Sequence, residues 1–303
     1  MRHGKYPFVI GFLAAPVALY CVFVVAPVIQ AFQISFTQWR GFAPPEFIGF
    51  DNYKRLIDDD GFWKAIQHHG ILLVALPLIT IVISLFFAFL LNVGGRSRGG
   101  VMTGIWGSKF YRVVFFLPQV LAVAIIAVLF QTVYRPNESG LINGLLMKLG
   151  LDPVYFLVKP SIALWSIIGV MVWQAVGFYV VLFSAGMSSI PSDIYEAAAL
   201  DGAGKFTLFF RVTLPLLWDT LQVAWVYLGI AAFDAFALVN VLSIGGDGGP
   251  DGATTVLAIE IYRNMQTSRY GYASAMGVAL FFLTITFAAL TLRVSKRESV
   301  EFS

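Results

Sequence analysis

Charge is distributed along this 303-residue chain in a way that leaves few folds open. No Asp, Glu, Lys or Arg occurs in Tyr6–Trp39, Ala65–Gly95, Val113–Tyr134, Pro160–Ser192 or Tyr270–Leu292. A sixth stretch, Thr220–Gly246, holds only Asp234. Each is longer than the ~20 residues needed to cross a ~30 Å hydrocarbon layer. With 58% of residues apolar and 12% charged, a soluble fold of this size could not hide its apolar surface. One cysteine, Cys21, rules out a disulfide framework, and a net charge of +3 is too small to imply a nucleic-acid partner. The pattern predicts an all-α polytopic membrane protein, a single domain over 1–303. Its six transmembrane helices fall at about 8–32, 71–93, 113–134, 162–187, 221–243 and 272–292. The first stretch is too long for a signal peptide and has no cleavage site before a hydrophilic chain.

Six spans place both termini on one side. The segment Gly94–Arg112 carries Arg96, Arg98, Lys109 and Arg112 and no acid. Arg2 and Lys5 flank the start, and Arg293, Lys296 and Arg297 the end. The excess of basic residues on cytoplasmic loops makes these segments, and both termini, cytoplasmic. The margin is thin, eleven Lys and Arg inside against nine outside, and the second loop decides it. Thr37–Gly70, Arg135–Pro160 and about Ile244–Gly271 then lie outside, the last rich in glycine. No linker is long enough to separate a second domain, and no internal repeat is evident.

The segment 188–220 departs from this scheme. It should be basic, yet it has two bases, Lys205 and Arg211, against four acids, Asp193, Glu196, Asp201 and Asp219. Asp193 is placed to cap a helix, with Glu196 three residues on as its capping-box partner. Glu196-Ala-Ala-Ala-Leu200 favours helix throughout, and Gly202 and Gly204 end it. A nine-residue helix from Asp193 to Asp201 is ~13 Å long, and small Ala197 and Ala198 allow another surface to approach closely. Phe206, Phe209 and Phe210 give the next segment an apolar face, and Pro215 bends the chain toward the fifth span.

The run Ile190-Pro-Ser-Asp-Ile-Tyr-Glu-Ala-Ala-Ala-Leu-Asp-Gly-Ala-Gly204, followed by Phe209-Phe-Arg-Val-Thr-Leu-Pro-Leu-Leu217, resembles the EAA loop of binding-protein-dependent ABC importer permeases. Glu196, Ala197, Ala198, Gly202, Val212, Leu214 and Pro215 fill that pattern, with Val212 in place of the usual Ile. The resemblance implies a type I ABC importer permease fold whose cytoplasmic EAA helix couples to an ATPase. Tyr195, Glu196, Ala197, Ala198, Asp201, Gly202, Ala203, Phe209 and Pro215 carry that role.

Phe47-Ile-Gly-Phe-Asp-Asn-Tyr53, Leu141-Ile-Asn-Gly-Leu-Leu-Met-Lys-Leu-Gly150, Gly248-Gly-Pro-Asp-Gly-Ala-Thr254 and Arg269-Tyr-Gly-Tyr-Ala-Ser-Ala275 resemble segments of carbohydrate permeases of the maltose and glycerol-3-phosphate type. Met1-Arg-His-Gly-Lys-Tyr and Asp58-Asp-Asp-Gly-Phe-Trp are similar to amino-sugar (N-acetylglucosamine or chitobiose) permeases of actinobacteria. The implied location is the bacterial inner membrane. The implied partners are a second homologous permease, two copies of an ABC ATPase, an extracytoplasmic solute-binding protein and membrane lipid. The implied cofactors, ATP and Mg, belong to the ATPase, so this chain has none and no catalytic residues.

Other chemistry finds little support. There is no Gly-x-x-x-x-Gly-Lys-Ser/Thr loop for phosphates, and Gly94-Gly-Arg-Ser-Arg-Gly-Gly100 reads as a basic turn facing lipid headgroups. Asp247-Gly-Gly-Pro-Asp251 is too short for a calcium loop and lacks a closing Glu, so no metal is expected. His68 and His69 point to different helix faces and read as a solvated pair at the outer membrane edge. Asp234 is the one charge inside a span, where a carboxylate costs about 2.5–3.5 kcal/mol at mid-bilayer. It faces either a water-filled cavity or a neighbouring helix. Gln174, Tyr179, Asp234 and Asn240 are the expected substrate pathway, because sugars are held by aromatic faces and hydroxyl-binding polar groups. The Asn that the family carries ahead of this aromatic segment is not evident here. An ion-coupled carrier is the competing reading, and one intramembrane carboxylate is meagre for it.

Overall fold

The computed structural model describes residues 5–93, 105–245 and 248–294. Arg2, the basic turn Gly94–Gly100 with Arg96 and Arg98, Asp247, Lys296 and Arg297 lie outside the described residues. In chain order the elements begin with α1 (Lys5–Tyr20), a π-helical turn (Cys21–Val25) and α2 (Ala26–Ser35). The turn precedes Pro27, and the Ala26 N–H bonds back to the Cys21 carbonyl, so the helix passes the proline without breaking. There follow β1 (Thr37–Gln38), β2 (Glu46–Phe47), α3 (Asp51–Ile57) and the long α4 (Asp60–Val93). Next come α5 (Ser108–Val120), α6 (Val123–Val133), α7 (Leu141–Lys148) and α8 (Pro160–Ser188). The segment after α8 forms α9 (Ser192–Leu200), α10 (Lys205–Leu208), a π-helical turn (Phe209–Thr213) and α11 (Leu214–Leu216). The chain ends in α12 (Trp218–Phe233), α13 (Phe236–Leu242), α14 (Leu257–Gln266) and α15 (Tyr270–Val294).

Among the described residues, four helices are long and apolar enough to cross a membrane: Ile10–Ser35, Asp60–Asn92, Pro160–Ser188 and Tyr270–Arg293. Two more candidates are bent. Ser108–Val120 meets Val123–Val133 at 98°, and Lys205–Leu216 meets Trp218–Phe233 at 71°. The first bend breaks the stretch 113–134; the second, at Leu217, precedes 221–243, which is interrupted separately at Asp234–Ala235. In the first stretch, Pro118 weakens the end of α5, and Leu121 and Ala122 adopt extended backbone (ψ 140° and 137°). In the second stretch, α12 stops at Phe233, and Asp234 and Ala235 (ψ 26° and 3°) fall outside helical geometry.

The chain divides into two compact units. One comprises Met1–Trp63 with Leu257–Leu283, the other Lys64–Val256 with Thr284–Ser303. In the first unit the two strands pair antiparallel, Thr37 opposite Phe47 and Gln38 opposite Glu46. Asn52 fixes this hairpin to the helix before it. It is buried, and its amide donates to the Ser35 carbonyl at 2.8 Å and the Thr37 carbonyl at 2.9 Å. The Asp59 carboxylate caps α4 by accepting from the Gly61 and Phe62 N–H groups, and it also accepts from the Tyr272 hydroxyl. Gly271 has no alternative, because a β-carbon there would lie 1.9 Å from the Thr37 carbonyl oxygen.

The second unit is packed around Leu72, Leu76, Ile126, Ile167, Phe183, Leu228 and Leu242, all at most 2% exposed. Helices α5 and α8 touch backbone to backbone: a β-carbon on Gly177 would sit 1.7 Å from the Phe115 carbonyl oxygen. Asn143, fully buried, closes the segment after α6. Its amide donates to the Arg135 and Val154 carbonyls at 2.8 and 2.9 Å, and its oxygen accepts from the Val154 N–H at 2.7 Å. The histidine pair is not solvated as a whole. His69 is 2% exposed against the Phe233 ring (5.2 Å between centroids), while His68 Nδ1 lies 2.7 Å from the Thr255 carbonyl oxygen. The sequence shows the two faces of the helix but not the ring that covers one of them.

Candidate functional site

The break between α5 and α6 and the interruption between α12 and α13 open on one cavity of about 570 Å³. Its polar lining is Gln119, Gln174, Tyr179, Tyr227 and Asp234, among the aromatic rings of Phe178 and Phe236. Helical spacing explains the convergence. Met171, Gln174 and Phe178 fall at i, i+3 and i+7 on one face of α8, and Tyr227 and Asp234 are seven residues apart at the end of α12. Gln119 comes from the last turn of α5, just before its break.

Three of the four expected pathway residues, Gln174, Tyr179 and Asp234, are thus brought together, with Asp234 solvent-accessible. Asn240 is not in this lining. It sits on α13, half-buried, with its side-chain oxygen enclosed and unbonded. The six-residue separation from Asp234 does not carry across the break at Ala235. Two lining residues escaped the sequence reading. Gln119 was signalled only by a polar side chain beside Pro118 in an apolar run, and Tyr227 only by its helical register with Asp234.

A polar clamp on the same unit also lay beyond the sequence reading. Asn92, one residue from the end of α4, donates to the Ser184 hydroxyl of α8 at 2.9 Å and accepts from the Arg112 guanidinium of α5 at 2.7 Å. Three helices are joined at one level by a single amide.

The segment 188–220 forms the short helix expected of it, shifted by one residue. Pro191 (φ −53°, ψ 136°) sets the start, so Asp193 lies inside the first turn. The capping box does not form, and no side chain bonds the first N–H groups. Asp193 instead complements the positive end of the helix dipole. The helix ends as Gly202 dictates: at φ +78° its N–H bonds the Ala199 carbonyl at 3.1 Å, and the Ala203 N–H bonds the Ala198 carbonyl at 2.9 Å. This is a Schellman closure, which a glycine adopts without strain.

The helix has an inner and an outer face. Tyr195 and Ala198 turn inward, with Ala203 of the closing turn half-buried beside them, and burial raises the Tyr195 phenol above its ordinary range. Glu196, Ala197, Asp201 and Gly202 are exposed, and Leu200 is 90% exposed. Beyond it, Phe209 packs on Phe89 (4.8 Å between centroids) and Leu208 and Thr213 are buried, but Phe206 and Phe210 are exposed. The three phenylalanines therefore do not share one buried face. Pro215 lies in α11 just before the 71° bend.

A long charge-poor chain, broken helices around a polar cavity and an exposed Glu-Ala-Ala helix define a narrow class. Residues 92–300 match the family of binding-protein-dependent transport system inner membrane components. The chain belongs to that family. Among its relatives, a diacetylchitobiose uptake system permease protein of Streptomyces coelicolor is 40% identical over 98% of this chain and 84% of its own length. A trehalose/maltose transport system permease protein of Thermococcus litoralis is 33% identical over 91% of this chain and 89% of its own. In structure, the chain is similar to a chain of a bacterial ABC transporter involved in the import of the acidic polysaccharide alginate, with a TM-score of 0.82 at 25% identity over 97% of both chains. The fold is that of type I ABC importer permeases. Members of this family are permease components and not enzymes; ATP is hydrolysed by a separate subunit.

Proposed function

We propose that this chain is one of two homologous permeases that form the translocation pathway of an ATP-driven sugar importer in the bacterial inner membrane. It spans the membrane six times with both termini cytoplasmic, two of the spans being broken, one at Leu121–Ala122 and one at Asp234–Ala235. An extracytoplasmic binding protein delivers the sugar, and two ATPase subunits, which bind ATP and Mg, dock on α9. The carrying observation is the cavity between the two helix breaks. There Gln119, Gln174 and Asp234 offer hydrogen-bond partners to hydroxyls, and Tyr179, Tyr227 and Phe178 offer aromatic faces. Tyr195, Glu196, Ala197, Ala198, Asp201, Gly202, Ala203, Phe209 and Pro215 couple that pathway to ATP hydrolysis.

Within sugars, we favour a neutral N-acetylated amino-sugar oligomer such as diacetylchitobiose. The 40% identity to the Streptomyces permease supports it. So does the cavity, whose one carboxylate accepts amide N–H groups and whose lining on this chain has no Lys or Arg. Glycerol-3-phosphate fits less well, because its phosphate would face Asp234. The test is reconstitution of the chain with its sibling permease and ATPase in proteoliposomes. ATP-dependent uptake of labelled diacetylchitobiose, requiring the loaded binding protein, is the expected result. Uptake driven by an ion gradient without ATPase would overturn the reading. Uptake of maltose in preference to diacetylchitobiose would overturn only the choice of sugar.

A further inference from the structure

The first unit contains a second cavity, of about 350 Å³, that the permease cavity does not use. It is lined by three arginines, Arg40, Arg55 and Arg269, together with Asp51, Asn52 and Tyr272. None of the three arginines has a carboxylate within ion-pair distance among the described residues. The one acid in the lining, Asp51, is engaged by Lys54 at 2.8 Å. The nearby Asp59 is spent on the cap of α4 and on Tyr272. The Asn52 amide is spent on two carbonyls.

The frame around these guanidinium groups is well fixed. Arg55 lies over the Tyr272 ring at 4.8 Å, which holds its plane by a cation–π contact. The Trp39 and Tyr270 rings meet at 5.2 Å between centroids, tilted by 45°. Gly41, at φ +92°, brings the chain so close to Tyr270 that a β-carbon would meet the ring at 2.8 Å. The Gly271 N–H reaches the Trp39 carbonyl at 3.4 Å. Two chain segments more than two hundred residues apart are thereby locked together, each bringing arginine to one concavity.

Those two segments, Thr37–Gly70 and Ile244–Gly271, are both assigned to the outer face of the membrane. Three of the nine bases that weaken the positive-inside signal are these arginines. An arginine fork matches a carboxylate in two parallel hydrogen bonds, and three unpaired forks around one concavity make a strong anion socket.

We propose that this cavity is a carboxylate-binding socket, and that its occupant is an acidic side chain on the docking face of the extracytoplasmic binding protein. The inference rests on the permease reading above and names where that partner is held. Charge complementarity selects the occupant. The socket is cationic and its three arginines are exposed, so it suits an acidic side chain presented by a partner more than a neutral sugar.

The experiment uses the complete importer in nanodiscs, with ATPase activity followed as its binding protein is titrated. Arg40→Glu with Arg269→Glu is expected to raise the half-saturating binding-protein concentration about tenfold, and Arg40→Gln with Arg269→Gln about threefold, because rim charges act mainly on encounter and salt dependence. Basal ATPase activity and activity at saturating binding protein stay as in wild type. The salt dependence of half-saturation flattens in both variants. A lysine placed at one acidic position of the binding protein's docking face restores affinity toward the Glu variant. Unchanged half-saturation and salt dependence would overturn the proposal while leaving the permease function intact. An effect that follows the anionic-lipid content of the nanodisc and not the binding protein would also overturn it, assigning the socket to lipid phosphate. A wild-type complex with no response to binding protein would overturn the permease reading itself and this inference with it.

Discussion

The segment 188–220 and the cavity between α5, α8 and α12 are parts of one unit, but they are built in opposite ways. The first is local. Its helix, its glycine closure and its bend are each set by residues within a few positions of one another. The cavity is assembled from three helices, and each contributes one or two polar side chains that are unremarkable in their own stretch. The local element presents its chemistry outward, with Leu200, Phe206 and Glu196 exposed, whereas the cavity turns its chemistry inward. On the proposed function, damage to the two should therefore separate: changes in the loop should affect transmission of ATP hydrolysis, and changes in the cavity should affect what is moved.

Gly202→Asp should produce the largest effect. Nothing lies within 4 Å of the position its β-carbon would take, so the substitution does not clash. It instead forces a non-glycine residue to φ +78° and adds a charge to the outer surface. Left-handed backbone costs such a residue roughly 1–2 kcal/mol. Sugar uptake is expected to be abolished and the ATPase to co-purify poorly, with membrane insertion unchanged on immunoblots. Normal uptake by this variant would erase the distinction between loop and cavity.

Gly177→Ala comes next. Its methyl group would sit 1.7 Å from the Phe115 carbonyl oxygen, so α5 and α8 must separate. Overpacking of this kind costs about 1–3 kcal/mol. A lower unfolding temperature in detergent and slower uptake are expected together. A variant as stable as wild type would show that the two backbones are not held in contact.

Asp234→Asn retains the shape and one acceptor but removes the charge. A hydrogen bond to a charged group contributes about 1.5–3 kcal/mol, so uptake should fall about tenfold if the carboxylate meets the sugar. The complex should still assemble, and its ATPase should still respond to loaded binding protein. If assembly or thermal stability falls instead, Asp234 braces helices and the cavity loses its principal polar group. Glu196→Ala should be the mildest change. Glu196 is exposed and makes no capping box, and alanine is itself a strong helix former. An uptake loss comparable to that of Gly202→Asp would mean that the carboxylate contacts the ATPase directly.

The same contrast explains what could be read from the chain alone. The segment 188–220 was legible because Gly202, Pro215 and the Glu-Ala-Ala run act through their own backbone. Only the start was misplaced, where Pro191 overrode the capping preference of Asp193. The bends were half legible. Pro118 and Pro215 mark them, and Asp234 marks the interruption after α12, but the extended conformation of Leu121 and Ala122 has no local signature in two apolar residues. Asn240 was misjudged because helical register was counted through a break. His69 was misjudged because Phe233, which covers it, is far away in sequence. The Asn92–Ser184–Arg112 clamp and the three-arginine socket depend on residues brought together over long separations, which neither periodicity nor spacing reveals.

Leu200 and Phe206, at 90% and 82% exposure, bear on the life of this protein before it works. Both lie in the segment assigned to the cytoplasm, where water would surround them and no lipid would cover them. A newly inserted chain that has not met its ATPase displays the kind of surface that chaperones and proteases recognise in misfolded proteins. On the docking proposed above, the subunit that covers those two side chains is what would distinguish an assembled permease from an orphan one.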